Sequence, residues 1–490
     1  MSSCYKPGPG AEPWQVSGLD GEGEVISPAT EEPLVEQEPT FPPLGMTPTP
    51  NAPIVLPTKR TETVNYIVKA GDTLRKIAGM YQVSIAEITA LNGLINPNLI
   101  EVGQSLMIPP PSYEKVAPGF KIIPDSELIN SPSNAAFDVE KFVQLQDGFL
   151  LEYSEVVDEV NLNGSEIVER VAVNYSINPR LLLTVLEYQS GWVTNSDPDP
   201  ETLIYPLRYY ENGREGLYKQ LAWAANLLNE GYYLWKINAI TAWLLSDSSI
   251  IQVEPTINPG TAGVLNLMRY LKHGQKWEKA ISEEGIFSTY YDFFGYPFTV
   301  AVEPVVPESL SQPDLQLPFE NGVVWSFTGG PHGGWDTGSG WAALDFAPPG
   351  DALGCFPSAA WVTASAPGEV VYDDHGAVIQ DLDGDGIWQT GWSILYMHID
   401  RENRVKAGEF LEAGDRIGHP SCEGGFSTGT HLHIARRYNG EWIPADTNLP
   451  FVMDGWESAG YGVEYDGYLV NGDLTLEAWD GRSTLNAIKR

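Results

Sequence analysis

Basic residues are scarce in this 490-residue chain: 28 lysines and arginines stand against 65 aspartates and glutamates, a formal net charge of −37. Nucleic acid needs a basic footprint for its phosphates and an anionic lipid surface needs a polybasic patch, so the composition argues against both partners. Long apolar runs are also missing, and no stretch of about 20 apolar residues exists to span a bilayer as a helix. The opening "MSSCYKPGPG" has no apolar core of the kind a signal peptide carries. Cys4 ahead of a Pro/Glu-rich stretch is the pattern of a trimmed bacterial lipoprotein whose true start lies upstream; the alternative is an ordinary N-terminal cysteine. Only three cysteines and seven histidines occur. Cys355 and Cys422 either pair, as suits an oxidising extracellular compartment, or stay two free buried thiols.

At this length two to four domains are expected. Residues 1–62 are rich in Pro, Glu and Gly and read as a disordered tether. From "YIVKAGDTLRKIAGMYQVSIAEITALNGLINPNLIEVGQSLMIP" (66–109) the pattern becomes strand, two capped helices, strand. Asp72 or Thr73 caps the first helix, Ser84 caps the second, and Asn92-Gly93 stops it. This unit, 63–110, resembles the LysM module. The resemblance implies binding to glycan containing N-acetylglucosamine, chiefly peptidoglycan or chitin. It places the sugar between Gly71, Asp72, Thr73 and Leu74 on one side and Asn96, Pro97, Asn98, Leu99 and Ile100 on the other.

A linker (111–135) leads to a helical region (136–300) with many aromatic residues. Its "INPRLLLTVLEYQSGW" resembles the lysozyme-like fold of lytic transglycosylases and glucosaminidases, which carry a general-acid Glu in "ESGW". Gln189 stands at that position, and an amide cannot protonate a glycosidic oxygen as a carboxylic acid does. Glu187 lies two residues away and points elsewhere on a helix. The region is therefore expected to be all-α and non-catalytic, a glycan-binding relic.

After a Pro-rich linker (301–318), helical spacing stops and short β runs separated by Gly and Pro predict a mainly antiparallel β domain, 319–490, with a C-terminal β extension. In "HLHI", side chains alternate faces, so His431 and His433 share one side and Leu432 and Ile434 the other. His332, Asp345 and His398 complete a set of imidazole and carboxylate groups. A catalytic zinc keeps three protein ligands and leaves a place for water, so two of the five remain for proton transfer.

"CEGGFSTGTHLHI", "YNGEW" and "YMHID" resemble the lysostaphin-type zinc endopeptidases, in the staphylolytic and beta-lytic branch, over about residues 319–450. The resemblance implies that His332, Asp345 and His433 hold one zinc and that His431 and His398 are catalytic. His431 then acts as general base and His398 as a donor to the oxyanion, with exchange of these two roles open. Most of the wider family has a histidine four residues before the aspartate, where this chain has Trp341; the branch resembled here uses a spacing of thirteen, which His332 fits. His375, His419 and His273 match no motif. "DLDGDGIWQTGW" opens like a calcium loop, with Asp381, Asp383, Asp385 and the turn residue Gly386, but its twelfth position is Trp392 rather than Glu. Bound calcium and a plain acidic turn are equally compatible with it.

Together these readings predict a modular zinc metalloendopeptidase acting on peptide stems or cross-bridges of bacterial peptidoglycan. It would be LysM-anchored and extracytoplasmic, either secreted or envelope-associated, with a disulfide between Cys355 and Cys422 bracing the "CEGG" loop. The rival expectation is a non-catalytic wall-binding scaffold or activator of cell-wall amidases, with a degenerate peptidase domain.

Overall fold

A computed structural model describes residues 53–490 apart from 57, 70, 113 and 114. Cys4 and most of the expected tether lie outside the described residues. No helix among the described residues is long and apolar enough to cross a membrane.

The LysM unit pairs the strands Val64–Ile67 and Ser105–Ile108 in antiparallel register. Thr73, not Asp72, caps the Leu74–Tyr81 helix by accepting from the Lys76 amide. Ser84 and Glu87 form a reciprocal capping box at Ile85–Leu91, satisfying two amides that the helix start leaves without partners. Leu74, Ile77, Ile88 and Leu106 fill the small core, joined by Leu244 of the helical region. Arg75 reaches the carbonyls of Leu245 and Ser246, at 3.3 and 2.8 Å, and fastens the unit to that region.

The middle of the chain is helical, with the helices Gly164–Tyr175, Pro179–Ser190, Leu217–Lys236 and Pro259–Leu271 at its centre. It departs from an all-α expectation in two antiparallel ribbons, Ser154–Val157 with Val160–Asn163 and Ala242–Leu244 with Ile250–Gln252. The first turns at Asp158 and Glu159, both at positive φ, a two-residue connection that suits a twisted hairpin. Gln189 is buried and accepts from Lys272 Nζ at 2.9 Å. The Glu187 carboxylate accepts from the Val193 and Thr194 amides and the Thr194 hydroxyl.

A nine-stranded antiparallel sheet organises the C-terminal domain. Its centre runs Trp392–Met397, Leu432–Tyr438, Ala343–Ala347, Val324–His332. Alternation sends Leu344, Phe346, Ile394, Tyr396, Leu432 and Ile434 to one face, where they form the domain's own core. Ala343, Ile379, Leu395, Met397 and Ala435 point the other way and belong to the same apolar cluster as the helical region. Trp335, Trp388 and Trp442 join that cluster.

Polar contacts seal the junction. Ser176 Oγ donates to the Gly440 carbonyl at 2.6 Å, the Trp442 amide donates to Tyr233 Oη at 2.9 Å, and Glu441 receives Tyr232 Oη at 3.0 Å together with Lys236. The 301–318 segment is seated on the sheet domain, with Leu315 and Leu317 buried and Gln312 bonded to Arg436. Trp442 is fully buried at this junction. Replacing it with alanine is therefore expected to cost about 3–5 kcal/mol in denaturant unfolding of the full chain. A cost below about 1 kcal/mol, the range of a surface change, would contradict a shared core.

Candidate metal and catalytic centre

Four neighbouring strands place one residue each in a row across the sheet: Met397 opposite His433, His433 opposite Asp345, Asp345 opposite Gly329. All lie on the face turned to the helical region. Gly329 makes room, because a Cβ there would stand 2.8 Å from Asp345 Oδ2. From Gly329 to His332 the first strand advances three residues while its partner moves only two, from Asp345 to Ala343. The extra residue is a bulge, and it turns His332 onto the face that carries Asp345.

His332 Nε2 and His433 Nδ1 each lie 3.2 Å from Asp345 Oδ1 and 3.0 Å from one another. A tetrahedral ion with bonds of roughly 2.0–2.1 Å separates its ligands by about 3.3 Å, so this triangle has the size of a zinc site. The chemistry of the three atoms agrees. The second nitrogen of His332 faces the Gly330 carbonyl at 2.7 Å, and that of His433 faces the Gly334 carbonyl at 3.0 Å. A carbonyl can only accept, so each ring carries its hydrogen there and turns a bare nitrogen to Asp345. Asp345 Oδ1 is itself buried without a hydrogen-bond partner. Two lone pairs and a carboxylate oxygen facing one another share no proton, and a cation between them satisfies all three.

Burial opposes ionisation of Asp345, yet the rings of His332 and His431 hold its carboxyl well below the usual carboxylate range. Burial pulls the His332 pKa down, but until a cation takes the proton's place between the two groups the Asp345 charge outweighs it and shifts the His332 pKa upward. His433 is lowered by burial.

His431 sits beside this triangle, its Nε2 3.8 Å from Asp345 Oδ1 and its Nδ1–H donated to the Gly429 carbonyl at 2.7 Å. The His398 ring lies 4.4 Å from that of His431, on the residue that follows the Trp392–Met397 strand, at a φ of +64°. His398 donates Nδ1–H to the Glu423 carbonyl at 3.0 Å. Burial and the neighbouring rings of His431 and His433 keep it neutral, with its pKa pushed down to about 3. Both histidines thus present a bare Nε2.

Cys355 and Cys422 form a disulfide. It ties the 354–356 loop to the segment leading into His431, where Thr430 also exchanges hydrogen bonds with Gly354 and Phe356.

Three tyrosines enter the site unannounced by any motif. Tyr465, from the C-terminal extension, stacks on the His332 ring at 4.2 Å, and burial beside Asp345 pushes its pKa up to about 12. Tyr175 and Tyr218 come from the helical region and line the same cavity. Nothing in their sequence neighbourhoods separates them from the other tyrosines, because their placement depends on long-range packing. His375, His419 and His273 lie elsewhere, beside Asp374, the Ala360 carbonyl and Ser246 respectively.

The aspartate turn brings ligand atoms of Asp381, Asp383 and Asp385 within 4.8 Å of one another. Asp381 already accepts from the amides of Asp383, Gly384 and Gly386. Of the expected sugar-binding residues, Gly71, Thr73, Asn96, Asn98 and Leu99 are exposed, Asp72, Pro97 and Ile100 are half-buried, and Leu74 is a core residue.

Three family models match separate parts of the chain. Residues 66–109 match the LysM domain, 121–306 match the N-terminal domain of LasA, and 353–444 match peptidase family M23. The chain is similar to protease LasA of Pseudomonas aeruginosa, 26% identical over 330 residues that cover 63% of this chain and 71% of that protein. It is also similar to the beta-lytic metalloendopeptidase of Achromobacter lyticus, 29% identical over 162 residues, 31% of this chain and 40% of that one. Among solved structures, the M23 metalloprotease pseudoalterin aligns with a TM-score of 0.30 at 20% identity, covering 37% of this chain and all of that one. The chain carries a LysM domain and a domain of peptidase family M23, and its helical middle matches the N-terminal domain of LasA.

Proposed function

We propose that this chain is a zinc-dependent endopeptidase that hydrolyses peptide bonds of bacterial peptidoglycan, held to glycan containing N-acetylglucosamine by its LysM domain, and that it works outside the cytoplasm. The observation that carries the reading is the meeting of two bare imidazole nitrogens and an unpartnered carboxylate oxygen at zinc-site spacing. His332, Asp345 and His433 would hold the ion. Zinc, when bound, supplies a Lewis acid that acidifies water and polarises the scissile carbonyl.

The chain's own groups divide the remaining work. His431, with Nε2 bare and turned to the ligand triangle, takes the proton from the attacking water. His398 is equally bare at Nε2, so it accepts first and can donate to an oxyanion only after it has gained a proton. The phenol of Tyr465 stays protonated at neutral pH and donates without that prior step. LysM binding through the loop residues Gly71, Asp72, Thr73, Asn96, Pro97, Asn98 and Leu99 would raise the local concentration of the peptidase at wall peptides; Leu74 and Ile100 would shape the groove from below.

Metal analysis of the purified full chain is expected to find one zinc, lost in His332→Ala. A chelator should stop release of peptide fragments from purified peptidoglycan, and added zinc should restore it. His431→Ala is expected to keep the metal while kcat falls by roughly 10²–10⁴, the usual worth of a positioned base. A chain that takes up no zinc and only stimulates an added amidase would make it a scaffold instead.

Calcium at the aspartate turn is a further part of the proposal. Burial and the charges of Asp381 and Asp385 push the Asp383 pKa up to about 7, and a divalent ion would relieve that crowding. Millimolar calcium should then raise the unfolding temperature of the wild type but not of Asp383→Asn; an equal response of both leaves a plain acidic turn.

A further inference from the structure

We propose that the cavity between the ligand triangle and Arg482 is a carboxylate subsite, which selects peptides carrying a free carboxylate within a few residues of the scissile bond. The proposal rests on the endopeptidase reading above. A cavity of about 500 Å³ runs from Asp345 and His431 to the turn at Asp480, Gly481 and Arg482. Every residue that lines it belongs to the sheet domain. One end touches the ligand triangle, so the other end meets a near neighbour of the scissile bond.

Arg482 is held there by groups that do not use its charge. Its Nε donates to the Pro348 carbonyl at 2.7 Å and its Nη1 to the Ala352 carbonyl at 2.9 Å. Its guanidinium carbon lies 5.3 Å from the centre of the Phe356 ring. These surroundings are themselves braced. Thr430 exchanges hydrogen bonds with Phe356 in both directions, and Cys355 is joined to Cys422. Behind the turn, the buried Asn486 donates its side-chain amide to the carbonyls of Phe327 and Gly481, each at 2.9 Å, and so anchors the turn to the Val324–His332 strand. A guanidinium fixed in place before a ligand arrives loses little freedom on binding.

Neutral partners leave the charge unspent. Arg482 forms no ion pair among the described residues, and its Nη2 donates to none of them. Carboxylates to pair with are plentiful in a chain of 65 acidic and 28 basic residues, so the missing counter-charge is not a matter of composition. Of the two acidic residues that line the same cavity, Asp345 belongs to the ligand triangle and Asp480 is exposed to solvent. A planar guanidinium with free N–H groups, oriented by carbonyls and an aromatic face, is the surrounding that recognises a carboxylate. In a wall peptide that group is either the carboxylate of an acidic residue within the peptide or the carboxylate at its C-terminus.

Matched wall peptides test this, with both carboxylates free, with only the acidic residue amidated, or with only the C-terminus amidated. Against the full-length protein, amidation of the recognised carboxylate should raise KM by roughly fivefold, the scale of one partly exposed ion pair, and the two amidated arms show which carboxylate it is. Arg482→Gln should keep its zinc and lose the discrimination. Arg482→Lys, which keeps the charge without the planar fork, should retain part of it. Equal KM values for free and amidated peptides would overturn the subsite. So would discrimination that survives in Arg482→Gln, including a uniform rise in KM for all three peptides, the mark of a merely structural tie. Calorimetric binding of the same peptides separates this proposal from the endopeptidase reading. Preferential binding without cleavage keeps the subsite and counts against that reading; equal affinities, or no binding at all, refute the subsite.

Discussion

Asp345 Oδ1 is buried with no hydrogen to receive, between two imidazole nitrogens that have none to give. In water such a carboxylate would be solvated on all sides; here the fold buries this oxygen and supplies no donor. The surrounding construction makes sense only as support for that arrangement. Gly329 is small enough to let the carboxylate lie flat against the next strand. The bulge before His332 rotates one ring inward, and two backbone carbonyls dictate which nitrogen of each ring looks at the ion. The disulfide beside Thr430 steadies the strand entrance that delivers His431.

The same face of the sheet explains the rest of the molecule. Its apolar residues, Ala343, Leu395, Met397 and Ala435, belong to a core that continues into the helical region, with Trp442 at the seam. The site opens where that packing stops. Catalytic domain and helical region therefore share one apolar interior rather than hanging as separate beads, and cutting the chain near residue 319 would strip one face of the sheet.

Legibility in the sequence followed the range of the interaction. The LysM caps at Thr73 and Ser84 are three-residue events, and the strand and helix order could be read from them directly. The "HLHI" alternation likewise fixed which side His431 and His433 share, since a strand's period is two. His332 was reachable only through resemblance to a family spacing, because period-two counting from Asp345 takes no account of a bulge. Tyr465, Tyr175 and Tyr218 left no local trace at all. The 301–318 segment reads as a linker because of its prolines, yet Leu315 and Leu317 are buried, which composition alone could not reveal. Gln189 was legible as a missing acid; its engagement by Lys272 was not.

X-ray absorption at the zinc edge of the full-length protein tests the central claim most directly. The account predicts a first shell of nitrogen and oxygen only, at roughly 2.0–2.1 Å, with imidazole scattering from two rings, and loss of that shell in Asp345→Asn. A shell containing sulfur at roughly 2.3 Å, or a zinc environment unchanged by Asp345→Asn, would contradict it.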